Sequence, residues 1–506
     1  MPNLQAEFAW LTGRTHPGSI GRPRTPVQRP ACARLTREAV AIRDATAPSI
    51  SPDRVRGATR GVWDAHELTA RAAYVLRGNS AGGMTRAAPD LYPHQWSWDA
   101  AFVAVGLAHV DVPRACLEMD TLLAGQWRTG MVPHIVFDPT ETGYFPGPDR
   151  WECEVSADAP TAPRTSGICQ PPVHALAVER MLEVAGHRGG ADQATLDAWL
   201  PAVYPRLLAW HRYLVRHRDP EGTGLLAIYH GWESGMDNSP RWDDAYARVL
   251  VGPELPPYTR RDTTVLPDLS QRPTQEEYDR YLWIVEELKL ASYDDTLIRK
   301  SVSFHTTDVF MSAIFAVAND ALALLAERVG AGEAAELRAC AERFRRGVAA
   351  SVDAETGFAV DTDLRTGAAM PSETIAGFAP LLCGGLGADA EDRLADLLVS
   401  EAWTGHPKLR HAVLPTTSPA SPAFRPRTYW RGPSWPVMNW FFAWMLQRRG
   451  ATALAGPLRA ASIAQLGDGA LAEYYEPLTG APLGSLDQSW TAAAALDLLI
   501  APDWPD

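Results

Sequence analysis

What this chain lacks narrows its chemistry first. Its six cysteines, Cys32, Cys116, Cys153, Cys169, Cys340 and Cys383, form no C-x-x-C pair. Zinc ribbons and thioredoxin-like redox sites need that spacing, so neither is expected. Six cysteines in 506 residues also make no disulfide framework, which suits a reducing compartment. No H-E-x-x-H and no EF-hand loop occurs, so no metal is expected. Gly82-Gly83 and Gly384-Gly385 lack the G-K-[ST] continuation of a phosphate loop, and G-x-S-x-G is absent. Nucleotide binding and nucleophilic serine chemistry therefore have no signature, and no cofactor is implied. There is no run of 18 apolar residues. Glu7, Arg14 and several prolines precede any apolar stretch of signal-peptide type. The expectation is a cytoplasmic protein without a membrane partner. Basic residues are in deficit, 47 against 60 acids, for a formal charge of −13. That balance argues against nucleic acid as a partner and suits a small-molecule substrate. Oligomeric state leaves no trace in the sequence.

Apolar residues make up 46% of the chain, enough for a large core. Residues 1–55 differ from the rest: Thr15 to Pro30 is rich in Pro, Gly and Arg, and Ala47 to Pro52 is another breaker cluster. This reads as a poorly packed extension with one short helix near Leu35 to Asp44. From about residue 60 helical periodicity dominates. Amphipathic stretches run over 62–77, 98–108, 112–126, 171–187, 192–216, 307–329, 332–351, 388–402, 433–448, 451–465 and 488–500, with a twelfth near 372–384. Gly106 and Gly330 read as helix C-caps. Strand-like runs are few: Met131 to Phe137, Leu225 to Tyr229 and Gly357 to Val360. The class is mainly α. Twelve helices in pairs, with long residue-rich loops on alternate connections, predict an (α/α)6 barrel spanning 56–506. Segments 135–170 and 243–300 are read as loop insertions forming a lid. A linear helical repeat is the rival, and no constant period supports it.

The long loops carry the chemistry. Gly231-Trp232-Glu233-Ser234-Gly235-Met236-Asp237-Asn238-Ser239-Pro240-Arg241-Trp242-Asp243 sets carboxylates and two tryptophans among turn formers. Aromatic faces stack on the C–H faces of sugar rings, and carboxylates bind hydroxyls or move protons. The plain alternative is a helix-start loop capped by Asp237 or Asn238. Tyr92-Pro93-His94-Gln95-Trp96-Ser97-Trp98-Asp99 offers three aromatics and an acid before an apolar helix, which Asp99 could also simply cap. His134 follows an apolar strand-like run, where a structural histidine is as natural as a substrate contact. Gln170 opens a helix behind Ser166-Gly167. Later loops are Tyr429-Trp430-Arg431-Gly432-Pro433-Ser434-Trp435, Glu473-Tyr474-Tyr475-Glu476-Pro477 and Gly484-Ser485-Leu486-Asp487-Gln488-Ser489-Trp490. Each is weak alone. Together they point to a polar pocket walled by aromatics.

With metal, phosphate and nucleophile signatures missing, paired carboxylates remain. Glycoside hydrolysis needs one protonated carboxyl for the leaving oxygen and one ionised carboxylate for water or carbon. The two must flank the bond, so they come from distant parts of the chain. Asp237 and Glu473 are the best such pair, with Glu233, Asp243 and Glu476 as competitors.

The loops quoted above, with Glu473-Tyr474-Tyr475-Glu476-Pro477-Leu478-Thr479-Gly480, resemble glycoside hydrolase family 63, and within it the bacterial mannosylglycerate and glucosylglycerate hydrolases. The resemblance covers about residue 60 to the end. It implies an (α/α)6 barrel and an inverting attack on an α-glycosidic bond, with Asp237 as general acid and Glu473 as general base. A raised pKa is then expected at Asp237. The resemblance further implies that Trp98, Asp99, Trp430, Trp435 and Gln488 line the pocket of the non-reducing sugar. His134, Tyr144, Gln170 and Trp232 would lie toward the second subsite. Tyr92, Trp96 and Tyr429, again with Gln488, would belong to a closing loop set. Arg272 and Tyr278 would clamp a glycerate carboxylate, which the bidentate fork of Arg suits. Two departures bear on the substrate: residues 1–55 have no counterpart, and Ser303 to Asp308 differs from the family pattern. The implied substrate is glucosylglycerate or mannosylglycerate. The alternatives are a trehalase-like hydrolase of a neutral disaccharide, a sugar epimerase on the same barrel, and a non-catalytic sugar-binding protein.

Overall fold

Two kinds of helix alternate along the described residues, which in this computed structural model are 62–504 apart from Pro267 and Pro502. The expected extension at 1–55, with its short helix, lies outside them. The first kind is amphipathic. In α1 (Ala65–Gly78) the buried residues are Leu68, Arg71, Ala72, Val75 and Leu76, a single stripe at helical spacing. The second kind is buried all round: every residue of α2 (Ser97–Ala108) is hidden. The same contrast continues through α3 (Val112–Ala124), α4 (His174–Arg188), α5 (Gly190–Tyr213), α6 (Val309–Val329), α7 (Ala334–Ala350), α8 (Ala379–Cys383), α9 (Ala388–Val399), α10 (Pro436–Arg448), α11 (Thr452–Gln465) and α12 (Ser489–Ile500). Only Leu394 and Leu398 of α9 are buried, whereas α12 is buried from Ser489 to Leu498.

Packing converts this alternation into two concentric rings. α2 packs on α4, α4 on α6, α6 on α8, α8 on α10, α10 on α12, and α12 back on α2. These six close a ring. The odd-numbered helices lie outside it, each against its inner neighbours. The fold is mainly α, as expected, and the closed inner ring is that of an (α/α)6 barrel. α6 is long and apolar enough to cross a membrane by composition alone, yet it is buried as a core member of this ring.

Several local expectations need correction. Gly106 does not cap a helix. It lies inside α2, where a Cβ would come 2.5 Å from the Cα and Cβ of Ala493 in α12. It is there so two inner backbones can touch. Gly330 does end its helix, in the left-handed conformation, with its N–H bonded to Glu327. The stretch near 372–384 is only a single tight turn followed by the short α8. Segment 243–300 is not a plain loop: it holds the helices Gln275–Leu290 and Asp295–Ser301. The first has a full capping box between Thr274 and Glu277. Strand pairing is confined to short ladders, among them Ile135–Val136 with Gln95–Trp96, and Leu226–Ile228 with Thr306–Asp308. Residues 357–360 form no strand of their own, although Ala359 bridges Val352. Asp99 is no cap either. The helix starts after Trp96, and Asp99 sits in its first turn.

One buried charge cluster ties four inner helices together. Asp497 in α12 accepts from Arg180 of α4 at 3.1 and 3.2 Å and from Trp440 Nε1 of α10 at 2.8 Å. His109, which ends α2, lies 2.9 Å away. Burial pushes the Asp497 carboxyl up, but Arg180 and His109 outweigh it and hold it well below the ordinary range. Its contribution to stability is therefore full above the ordinary carboxylate pKa and fades as pH falls below it. Asp497→Ala should cost about 3–5 kcal/mol, because Arg180, His109 and Trp440 lose their shared buried acceptor and Arg180 keeps only Asp503 and Glu183 near the surface. Chemical denaturation at pH 7 measures this. Gly106→Ala should also destabilise, by about 1–3 kcal/mol, although alanine is the better helix former. A gain in unfolding midpoint would show that α2 and α12 do not need this contact.

Candidate active site

Connections from an inner helix to the next outer one are short: 109–111, 189, 330–333, 384–387 and 449–451. Connections from outer to inner are long: 79–96, 125–173, 214–308, 351–378, 400–435 and 466–488. Short links between antiparallel neighbours put all the long loops, and all inner N-termini, at one end. A pocket of about 390 Å³, counting its open mouth, lies among them. Its walls come from these loops and from the first turns of α2 and α12. Of the residues expected at a site it is lined by Tyr92, Trp96, Trp98, Asp99, His134, Gln170, Asp237, Tyr429, Trp430, Glu473 and Gln488.

The remaining expected residues stand one layer back. Trp435 does not line the pocket. It stacks flat behind Trp430, with ring centres 3.7 Å apart, and donates its indole N–H to the Tyr429 carbonyl at 3.2 Å. Trp232 backs His134, with rings stacked at 6.2 Å, and Tyr144 meets the edge of Trp96 at 5.4 Å. Tyr278 is buried beneath the Arg260 guanidinium, 4.4 Å from its ring centre, and touches Trp232. Arg272 lies over the Tyr429 ring at 4.2 Å. Its Nε bonds Asp262 at 3.1 Å, and its Nη1 donates to the Tyr92 hydroxyl at 2.9 Å. Three wall residues escaped the sequence reading: Ala87, Gly235 and Trp490. Trp490 sits in a cluster already noted, two positions past Gln488, whereas Ala87 carries no signal at all.

The turn that holds Asp237 is built from its own small residues. His230 Nδ1 accepts from the Trp232 N–H at 3.0 Å, and the Ser234 hydroxyl donates to the Gly231 carbonyl at 2.6 Å. Gly235 then takes φ +70°, and a Cβ there would sit 2.5 Å from the Trp98 ring. Only glycine meets both demands. Asn238 does not cap a helix; its side-chain oxygen accepts from the Trp430 N–H at 3.0 Å and so links two walls of the pocket.

The competing carboxylates are all engaged elsewhere. Glu233 is buried and accepts both Nη atoms of Arg218 at 2.7 and 2.8 Å. Asp243 forms a fork with Arg431, both contacts at 2.7 Å. Glu476 closes its own turn by accepting from Leu478 N and Thr479 N at 3.1 and 2.8 Å. Asp99, Asp237 and Glu473 are the carboxylates that face the pocket.

Their environments differ. Burial pushes the Asp237 carboxyl up to about 7, against the pull of Arg272 and with help from Glu473. The pKa of Asp237 is raised as the sequence reading expected. Burial also raises Glu473, opposed by Arg272, the Ser485 N–H and Tyr92. Tyr92 donates to Glu473 Oε1 at 3.0 Å, and Ser485 N–H to Oε2 at 3.0 Å. The hydroxyl of Ser485 in turn meets Gln488 Oε1 at 2.6 Å. Asp99 is raised by burial, by Glu473 and by Asp237. Arg272 therefore acts on both Asp237 and Glu473 from behind the pocket wall. Burial lowers His134 to about 3, which leaves a neutral imidazole at neutral pH.

A family model described as the mannosylglycerate hydrolase MGH1-like glycoside hydrolase domain matches residues 92–491. The chain is 54% identical over 436 residues to a glucosylglycerate hydrolase of Mycolicibacterium hassiacum, covering 86% of this chain and 98% of that one. It is 42% identical over 431 residues to a mannosylglycerate hydrolase of Thermus thermophilus, covering 84% and 99%. Among solved structures, a GH63 mannosylglycerate hydrolase from Thermus thermophilus in complex with Tris and D-glycerate aligns with a TM-score of 0.77 at 40% identity. That alignment covers 85% of this chain and 99% of the other. A carboxylate pocket in a helical barrel, matched along nearly the whole length of such relatives, leads to one assignment: this chain is a glycoside hydrolase and belongs to family 63, in its mannosylglycerate hydrolase MGH1-like group.

Proposed function

We propose that the protein hydrolyses the α-glycosidic bond of glucosylglycerate, with mannosylglycerate as the related substrate, and inverts the anomeric carbon. The observation that carries the reading is the pairing inside the pocket. Asp237 and Glu473 are two carboxylates under the influence of one arginine, while Glu233, Asp243 and Glu476 are taken up by other partners. The glucosylglycerate preference is supported by the 54% identity to a relative of that name.

In this reading Asp237 is the general acid and Glu473 the general base. A carboxyl with a pKa near 7 keeps its proton in much of the population at neutral pH and can pass it to the leaving oxygen. Glu473 takes a proton from the attacking water, whose oxygen bonds the anomeric carbon as the glycosidic C–O bond breaks. Tyr92 and the Ser485 N–H stabilise its ionised form. An inverting pair needs about 6.5–9.5 Å between carboxyl groups to hold that water. Asp99, beside Trp98, accepts sugar hydroxyls, and Trp430 with Trp435 behind it gives a stiff stacking face. Arg272 binds the glycerate carboxylate. Tyr278 acts from behind, by packing on Arg260 and Trp232. Segments 135–170 and 243–300 cover the pocket as its lid. Cys153, Cys169, Cys340 and Cys383 are free thiols, which suits a cytoplasmic site.

NMR of the first product decides the stereochemistry. The β-anomer should appear before mutarotation, and an α-product would remove the base role of Glu473. Activity should fall as pH rises through about 7, because Asp237 then loses the proton it must donate. It should also fall at acid pH as Glu473 becomes protonated. Asp237→Asn should lower kcat about 10²–10⁴-fold on glucosylglycerate. Arg272→Ala should raise KM for glycerate glycosides far more than for a neutral α-glucoside. Equal effects on the two would take the clamp away from Arg272.

A further inference from the structure

The Asp237 carboxyl has no side-chain hydrogen-bond partner among the described residues. Its place must therefore be set through the backbone of its turn. Four positions earlier, Glu233 is fully buried and does not line the pocket. Besides the two Arg218 contacts, its carboxylate accepts from the Tyr229 N–H at 2.7 Å and the Cys169 N–H at 3.2 Å. Arg218 ends a π-turn, Leu214–Arg218, where α5 unwinds. Such turns redirect side chains and recur near functional sites. The guanidinium lies 4.1 Å over the Tyr229 ring, and its Nε meets the Tyr213 hydroxyl at 3.2 Å and Asp295 at 3.3 Å. One buried ion pair thus joins three segments: the end of α5, the turn that leads to Asp237, and the stretch that leads to Gln170. Gln170 lines the pocket and accepts from the Trp98 N–H at 3.3 Å.

We propose that Glu233, held by Arg218, is a positioning residue for catalysis, fixing the Asp237 carboxyl and Gln170 in register without touching substrate; this rests on Asp237 as the general acid. The chemistry of the carboxylate is what matters. Both of its oxygens receive N–H donors, and a glutamine of the same shape offers only one acceptor oxygen. Its amide N–H groups would point at donors on the other side, so the turn must shift to separate them. A displacement of about 1 Å at a proton donor is enough for a loss near 10²-fold.

The test is dependence on the leaving group. Glucosylglycerate needs its leaving oxygen protonated, whereas fluoride leaves α-D-glucosyl fluoride without a proton donor. Full-length Glu233→Gln should lose about 10²-fold in kcat on glucosylglycerate with little change in KM, and keep kcat on the fluoride within about threefold. Arg218→Lys keeps the charge but loses the fork, and should show the same split if Glu233→Gln does not fold. Asp237→Asn runs beside them. If it shows the split and the other two lose both substrates equally, or lose neither, the positioning role is overturned while the acid stands. If Asp237→Asn itself shows no split, the acid assignment fails and the positioning role with it.

Discussion

Helices that are apolar on every side can hide those sides only by surrounding one another. In this chain α2, and α12 from Ser489 to Leu498, have no solvent face to spare, so the inner ring must close. Closure then dictates much else. The backbones of α2 and α12 meet closely at Gly106 and Ala493, where a Cβ on Gly106 would come 2.5 Å from Ala493. Outer helices need only one apolar stripe each, and α7 and α9 show how thin that stripe can be. Inside such a ring any charge must be paired. Asp497 and Arg180 meet that condition and in doing so fix how four of the six inner helices sit.

The open end of the ring obeys the opposite rule. There, the pocket carboxylates Asp99, Asp237 and Glu473 are buried enough to be perturbed yet have no arginine partner paired to them directly among the described residues. Glu233 and Asp237 are four residues apart and make the contrast. Burial penalises the charge on both. Arg218 and two backbone N–H groups reverse that penalty at Glu233, whose carboxyl is held below its usual range. At Asp237 only the more distant Arg272 opposes it, and the carboxyl rises to about 7. The same turn therefore holds one permanent anion and one exchangeable proton.

Much of this was legible in the sequence, for reasons that can be named. Eleven helical stretches announced themselves by period, and Trp98, Trp430 and Glu473 stood out because aromatics and acids rarely gather in loops without cause. Other features could not be read. Glu233 and Asp237 look alike in sequence, and what separates them is an arginine in the π-turn at the end of α5. Gly106 looked like a helix end because a glycine just before a helix stop is usually one; its true neighbour, Ala493, is almost 400 positions away. Trp435 was expected in the wall, but its flat stack behind Trp430 depends on a tertiary contact. The helix Gln275–Leu290 was overlooked although Thr274 and Glu277 spell its start, because its surrounding segment lacks a motif. Arg272 had a family pattern to locate it but no local signal, and its partners Asp262, Tyr92 and Tyr429 come from three different stretches of chain.

The unequal lengths of the connections have an evolutionary consequence. Links at the closed end span as little as the single residue 189, so an insertion there would pry apart two helices that already touch. At the other end, 214–308 adds four further helices between α5 and α6, Gln275–Leu290 the longest, while the ring itself still closes. Variation in substrate choice can thus accumulate on one face of the barrel alone, and lineages can diverge in what they cleave while inheriting the same scaffold unchanged.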